Sequence, residues 1–425
     1  MTSGPRPGGR AEPPSAEEVR AALDRLYACT RGGAPRDPAR TRSLLDRLAV
    51  PDPAHVVHVV GTNGKGSVAA RIAAGLGAAG LTPLRFLSPH VERFHERIDV
   101  AGTPLRDDEL LAFLERAWHV EPAPAAAFFE LATAMALDVA HRRGADWAVL
   151  EAGVGAARDA TLAIGNVRAT VITNVDEDHL DQIGPDLAAV ARDKSAAIRP
   201  GVPVVTGATG VALEIVRTTA RRRRAPLHAS EDGGRLFDAP PSSPPSSSAP
   251  TTATDEAAGR LAFATLRSLG LGSDAERCAL AAAAAPPALP ARRERFDLGH
   301  GRTVLLDGAH NPAAASALAA DAPAGAHVLL GVAGRKDAAR IRSAFADAPR
   351  LTLTAVTSGE RPWNDDPAFV PDPATALEAA LAALPIGGTL IVTGSFHLAG
   401  RLRPTLRLRA AATGQGPGPR YAPTS

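Results

Sequence analysis

The run His58-Val-Val-Gly-Thr-Asn-Gly-Lys-Gly-Ser67 brings Gly61, Gly64, Gly66, one lysine and one hydroxyl to the point where an apolar strand gives way to a helix. Such a turn lets backbone N–H groups approach a polyphosphate closely, while a lysine reaches the terminal phosphates and a serine hydroxyl can ligate Mg²⁺. The helix expected over 68–79 aims its positive N-terminus at the same anion. The commoner phosphate-loop pattern sets Ser or Thr directly after the lysine, whereas here Gly66 separates Lys65 from Ser67. A plain Gly/Asn turn with an incidental lysine is the alternative, and the phosphate reading is preferred. Glu151 ends the apolar run Trp147-Ala-Val-Leu150, at the carboxyl edge where parallel sheets present their ligands. It is therefore the candidate metal carboxylate, with Ser67 sharing the ion and the β/γ phosphates; a solvated strand-end acid is the alternative reading.

These groups need a sheet to position them. Short apolar runs at 55–60, 83–87, 147–151, 169–174 and 203–206 alternate with helical stretches such as 128–142 and 187–198, after amphipathic helices at 16–26 and 41–48. Continuous apolar strands alternating with helices predict a mostly parallel sheet covered on both faces. A second βα series follows, with strands at 303–306, 327–332, 351–355 and 389–392, and predicts a smaller Rossmann-like α/β domain. A chain of 425 residues exceeds one ordinary core. The expected division is a disordered leader over 1–15, a first domain over 16–288 and a second over 289–425, with a hinge at 286–291 and a flexible Ser/Pro insert at 238–255.

Composition narrows the function classes. A formal net charge of +2 implies no polyanion partner, and the run Arg221–Arg224 reads as a solvated helix end, so no nucleic acid is expected. No segment has the roughly 18 uninterrupted apolar residues that span a bilayer, the N-terminus lacks the apolar stretch of a secretory signal, and no membrane partner is expected. Two cysteines, Cys29 and Cys278, make neither a disulfide framework nor a zinc site, which fits a reducing cytoplasm.

Several further segments occur in one order: Ser88-Pro-His90, Glu96-Arg-Ile98, Thr173-Asn174 with Asp178-His179, Asp193-Lys194, Asp307-Gly-Ala-His-Asn-Pro312 and Thr393-Gly-Ser395. Each alone is weak. With Gly61–Ser67 the ordered set resembles the folylpolyglutamate synthase/dihydrofolate synthase branch of the Mur-ligase superfamily. The resemblance implies a P-loop-type ATPase domain, a C-terminal Rossmann-like glutamate-ligase domain and an ATP-dependent carboxylate–amine ligase. Such an enzyme converts a carboxylate to an acyl phosphate, which the amine of L-glutamate attacks. Its implied small-molecule partners are ATP, L-glutamate and dihydropteroate or folate, and a monomer is expected.

The resemblance also assigns residues. Gly61, Thr62, Asn63, Gly64, Lys65, Gly66 and Ser67 cradle ATP; Ser67, Glu151, His179 and Lys194 gather at two Mg²⁺ sites; and Lys65, His179, Lys194, Asp307 and His310 serve catalysis. Asp178 is expected to orient the imidazole of His179 rather than to ligate metal. Lys194 matches a lysine that the family carbamylates, turning a cation into an anionic oxygen ligand. Asp307 and His310 contact ribose and phosphates and help form the glutamate site, and Arg295 bridges to the phosphates on closure, with the tandem Arg292-Arg293 leaving that register open by a few residues.

Three segments depart from the family pattern. The loop Gly153-Val-Gly-Ala-Ala-Arg-Asp-Ala-Thr161 has Ala156 and Ala157 where the family has glycine and arginine, so a stiffer loop and a displaced contact are expected. Thr252-Ala-Thr-Asp-Glu-Ala-Ala258 stands where a His-Gln…Asn signature helps recognise adenine. Gly331-Val-Ala-Gly-Arg-Lys-Asp337 keeps only the Lys-Asp pair. Two other functions stay open on the sequence: a Mur-type amide ligase for another carboxylate, and a nucleotide-binding paralogue that no longer catalyses.

Overall fold

The structure is a computed structural model that describes residues 13–30, 35–120, 126–232, 252–284, 288–333, 336–356, 363 and 366–413. Strands β1 (His55–Val60), β2 (Pro83–Phe86), β3 (Ile98–Val100), β4 (Thr103–Pro104), β5 (Trp147–Glu151), β6 (Val167–Ile172), β7 (Val204–Thr206) and β8 (Leu227–Ala229) form one eight-stranded sheet in the order β4-β3-β2-β5-β1-β6-β7-β8. From β2 to β8 every neighbouring pair is parallel; β3 and β4 run antiparallel at the edge.

The alternation of side chains along a strand explains why the central strands read as unbroken apolar runs. Val56, Leu84, Ala148 and Leu150 point into a core shared with Leu26, Phe113 and Leu131 of helices Ala16–Ala28, Asp107–Val120 and Phe128–Arg142. Their neighbours Val57, Val59 and Val149 point the other way, onto Ile72, Leu76, Leu261 and Leu266 of helices Lys65–Ala78 and Ala253–Ser268. Arg71, 2% exposed, ties this second face together: its guanidinium donates to the carbonyls of Ala283 and Ala284 at 2.8 and 2.9 Å, the end of helix Ser273–Ala284. Those terminal carbonyls have no intrahelical donor, so the buried cation and the helix end satisfy each other.

Strands β9 (Glu294–Asp297), β10 (Thr303–Leu306), β11 (His327–Leu330), β12 (Leu351–Thr354), β13 (Phe369–Val370) and β14 (Thr389–Thr393) form a six-stranded sheet ordered β13-β12-β11-β14-β10-β9, parallel except for β9. Phe296, Leu306, Val392, Leu402 and Leu406 pack beneath it. The chain is thus two α/β units, each built on a mostly parallel sheet. Segments following the carboxyl ends of β1, β6, β10, β11 and β14 all reach one cavity of about 1860 Å³, the edge at which open parallel sheets bind ligands.

The element edges differ from the sequence expectation in two informative places. Ser15, expected in the leader, is the N-cap of Ala16–Ala28 in a capping box with Glu18, and Thr252, expected in the flexible insert, caps Ala253–Ser268 through the amide of Asp255. A hydroxyl that accepts an orphan helix N–H is ordered by that bond. Positions 1–12 of the expected leader, 238–251 of the expected insert and 286–287 of the expected hinge lie outside the described residues.

Candidate functional site

The phosphate loop is shaped by its neighbour strand. Gly61 has φ +148, and a Cβ there would sit 1.9 Å from Thr173 Oγ1. That hydroxyl donates to the Asn63 carbonyl at 2.7 Å, the Thr62 amide donates to Asn174 O at 3.0 Å, and the Asn63 amide donates to Asn174 Oδ1 at 2.8 Å. The loop after β6 therefore templates the loop after β1. The helix begins at Lys65, earlier than the expected 68, from Gly64 in the left-handed region with φ +77 and no side-chain cap. Four other helices start from Ser15, Asp37, Asp186 and Asn311 side chains that take up their first amides. This one leaves them for a ligand, which is how a helix N-terminus binds an anion.

Around that terminus stand three ionisable groups, Lys65 half-buried and Glu151 and Lys194 buried. Lys65 donates to Thr62 O at 3.1 Å, and burial lowers its pKa against the pull of Glu151. Glu151, 2% exposed, accepts the Ser88 amide on Oε2 at 2.9 Å; burial raises its pKa, while Lys65 and Arg292 draw it back. Lys194, 3% exposed, donates to Gly61 O at 2.9 Å, and burial, with Lys65 nearby, brings its pKa down to about 7. The altered loop is clamped beside it: Asp193 accepts the amides of Ala156 and Ala157 at 2.7 and 3.3 Å, and Asp159 accepts those of Gly153 and Val154 at 3.0 and 3.1 Å. Ala156 is fully buried, and Arg158, next to Ala157, borders the cavity.

Asp178 joins the two units. Its Oδ1 accepts from Lys336 Nζ at 2.6 Å and its Oδ2 from Asn311 Nδ2 at 3.1 Å, with His179 Nε2 at 3.7 Å and His310 Nε2 at 3.9 Å. Asn311 also exchanges hydrogen bonds with Asn63 of the phosphate loop, at 2.9 and 3.3 Å. Burial pushes the Asp178 carboxyl up, but His179, Lys336 and His310 outweigh it and hold it at about 2. Burial drops both imidazoles to about 4, so they are neutral near pH 7. His310 Nδ1 donates to Gly308 O at 2.9 Å, which leaves Nε2 as its acceptor. Asp307, raised by burial, accepts the amides of Arg293 and Ala309 at 2.9 and 2.8 Å and so shapes the turn after β10.

Gly61, Thr62, Asn63, Gly64, Lys65, Ser67, Glu151, His179, Lys194, Arg295, Asp307 and His310 all border the one cavity. Long-range register shapes the setting of two further groups. Arg292, not Arg295, reaches the phosphate loop: its Nη2 lies 3.6 Å from a Cβ built on Gly66 and its guanidinium stacks 4.2 Å over the Phe396 ring. Arg295 lies on β9 and donates to Thr303 Oγ1 at 3.4 Å, because the antiparallel register opposite β10 turns it along the sheet. Asp178 stands beside His179, and Lys336 and Asn311 from the second unit share its carboxylate. Among the described residues no three His, Cys, Asp or Glu side chains converge as a ready-made metal cage. Thr254 and Asp255, in place of the adenine-contacting signature, border the cavity, with the Asp255 carboxylate 3.8 Å from Arg71.

An uncapped helix terminus with a buried lysine, a buried strand-end carboxylate and a second α/β unit closing on the same cavity define a two-lobed, phosphate-loop enzyme. No family profile matches the chain. Similarity to individual proteins is extensive. The chain is 30% identical over 418 residues to the folylpolyglutamate synthase of Lacticaseibacillus casei, covering 87% of this chain and 94% of that protein. It is 35% identical over 208 residues to the dihydrofolate synthase/folylpolyglutamate synthase of Bacillus subtilis, a match spanning 47% of this chain and about half, 48%, of that relative. The crystal structure of the bifunctional folylpolyglutamate synthase/dihydrofolate synthase of Yersinia pestis, complexed with AMPPNP and a Mn ion, superposes with a TM-score of 0.77 at 25% identity, covering 91% of this chain and 98% of that one. The chain belongs to the folylpolyglutamate synthase/dihydrofolate synthase family.

Proposed function

We propose that the chain is an ATP- and Mg²⁺-dependent ligase that joins L-glutamate to the carboxylate of dihydropteroate, of a (tetrahydro)folate, or of both, through an acyl phosphate. The observation that carries this reading is the convergence of the uncapped helix terminus, Lys65, Glu151 and Lys194 on one cavity shared with the second unit. A carboxylate is a poor electrophile and repels a triphosphate. Lys65 and Arg292 supply positive charge on the phosphate side, and the low dielectric of a closed cavity strengthens both. Neutral His179 and His310 keep lone pairs available at the same place. The contacts of Asp178 and Asn63 with Lys336 and Asn311 close the second unit over the phosphate loop and exclude water from a hydrolysable intermediate.

The residues fit a divalent cation that arrives on the nucleotide. Mg²⁺ is held by one or two carboxylates plus substrate phosphates rather than by an all-protein cage, and Glu151 Oε2 lies 3.3 Å from a Cβ built on Gly66, in the first helical turn, which carries Ser67. Ser67 and Glu151 would hold one ion, His179 and the carbamate of Lys194 a second. When bound, the ions supply electrostatic stabilisation of the transferring phosphoryl group. A lysine at about 7 is half neutral at that pH, and only the neutral amine adds to CO₂, which supports carbamylation.

We further place the division between the units near 288/289, between the helix ending at Ala284 and β9, with the enzyme acting as a cytoplasmic monomer. Among the described residues no helix is long and apolar enough to cross a membrane. Phosphate release with ATP, L-glutamate and a panel of pteroates tests the reading. Release that requires both glutamate and a pteroate or folate is the expected result. Release only with other acids assigns the chain to a different amide ligase, and none at all assigns it to a non-catalytic paralogue.

A further inference from the structure

The loop Ser88–Arg93 is fastened from several sides. At its start the Ser88 amide donates to Glu151 Oε2 at 2.9 Å. At its end Glu96 accepts the amides of Val91, Glu92 and Arg93 at 2.7, 3.0 and 2.9 Å. Ser88 and Pro89 border the cavity in between. The outer side of the loop meets helix Phe396–Ala412 of the second unit at two points. A Cβ on Gly400 would lie 2.1 Å from the Val91 carbonyl oxygen, so backbone touches backbone there. One turn further on, Arg403 donates to Glu294 of β9 through Nε at 3.0 and 2.7 Å and through Nη2 at 2.7 Å, and its Nη1 donates to Glu92 of the loop. Arg407 stands 3.8 Å from the other Glu92 oxygen. Glu294 in turn accepts the Ala291 amide at 3.0 Å, next to Arg292.

One guanidinium thus serves two carboxylates, one from each α/β unit. Its own side chain is 12% exposed, that of Glu92 17% and that of Glu294 19%. Without that cation, two half-buried like charges would face each other with only Arg407 left near Glu92, and because Glu294 sits on a paired strand the loop is the side expected to shift. The other end of that loop holds Glu151. We propose that Arg403 is a positioning residue: by neutralising Glu92 and Glu294 together it seats the loop Ser88–Arg93 against the second unit and so fixes the cavity wall that receives the acyl substrate. This rests on the ligase reading given above for the substrate, and on geometry alone for the loop.

Arg403→Ala, Glu92→Gln and the double variant separate this from a general structural role. Steady-state constants are measured together with hydrogen exchange of the Val91, Glu92 and Arg93 amides. Arg403→Ala is expected to raise the KM for the acyl substrate about tenfold or more and to speed exchange of those amides. Adding Glu92→Gln removes the repulsion that Arg403→Ala creates, so the double variant should recover most of both losses. Arg403→Lys, which cannot fork onto two carboxylates, should fall between and serves if the alanine variant does not fold. A double variant no better than Arg403→Ala, or amide exchange unchanged in every variant, overturns the proposal. If the unaltered protein shows no glutamate-dependent turnover, the ligase reading falls, and the exchange data still decide whether Arg403 seats the loop.

Discussion

Replacing Lys194 with methionine removes a buried amine and keeps an unbranched side chain, and the structure sets how the change should depend on pH. Lys194 is 3% exposed, and burial with Lys65 nearby brings its pKa to about 7 from an ordinary lysine value of 10.5. Between those two values the unfolded chain holds a proton that the folded chain has released. Wild-type stability therefore rises with pH through that window. Below pH 7 both states are protonated and the full cost of burying the cation is present, roughly 5 kcal/mol at 1.36 kcal/mol per pH unit. Methionine escapes that cost and loses only the bond to Gly61 O, about 1 kcal/mol. Lys194→Met should unfold at a higher temperature than wild type at pH 6 in CO₂-free buffer. Between pH 7 and 9 the advantage should shrink by roughly 3 kcal/mol. The same neutral amine should give a carbamate signal in ¹³C NMR with labelled bicarbonate that grows from pH 6 to pH 8 and is absent in the variant. A melting difference that stays constant from pH 6 to pH 9 would show that Lys194 ionises as it does in water, and the carbamate would lose its nucleophile.

Four other substitutions probe the phosphate side. Gly61→Ala forces a Cβ to 1.9 Å from Thr173 Oγ1 at φ +148, so it should lower the melting temperature and raise the KM for ATP at least about tenfold, read by steady-state kinetics. Arg292→Ala should raise the KM for ATP about tenfold while Arg295→Ala changes it less than about twofold, since only Arg292 approaches Gly66; equal effects would undo that assignment. Glu151→Gln keeps the shape and the Ser88 contact but removes the charge, and should raise the Mn²⁺ concentration for half-maximal activity by about tenfold or more, whereas an unchanged metal titration would remove Glu151 from the ion.

Much of the scaffold was legible because burial on both faces leaves an unmistakable trace. Strands His55–Val60 and Trp147–Glu151 and helix Phe128–Arg142 appear at the expected residues, since their apolar runs have one reading. The phosphate loop was legible from its glycines, although the helix starts at Lys65 because Gly64 makes the entry turn. What pattern could not supply was long-range register. Nothing local says that Arg292 rather than Arg295 turns toward Gly66; the pairing of Arg295 with Leu305 across β9 and β10 decides it. Asp178 showed only its neighbour His179 in sequence, while its partners Asn311 and Lys336 lie 133 and 158 positions away. Asp193 stood out in sequence only as the neighbour of Lys194, and Asp159 only as part of the Gly153–Thr161 loop, because their task is to accept amides of that loop, a role that only the folded backbone creates.

The most direct test of the account follows oxygen rather than product. A pteroate or folate whose terminal carboxylate is labelled with oxygen-18, incubated with the protein, ATP and L-glutamate, should pass one labelled oxygen to the released phosphate, with one glutamylated product formed per phosphate, and Lys65→Ala should abolish both. Glutamylated product accompanied by unlabelled phosphate would contradict the acyl phosphate, and with it the claim that this cavity exists to bring a triphosphate and a carboxylate together.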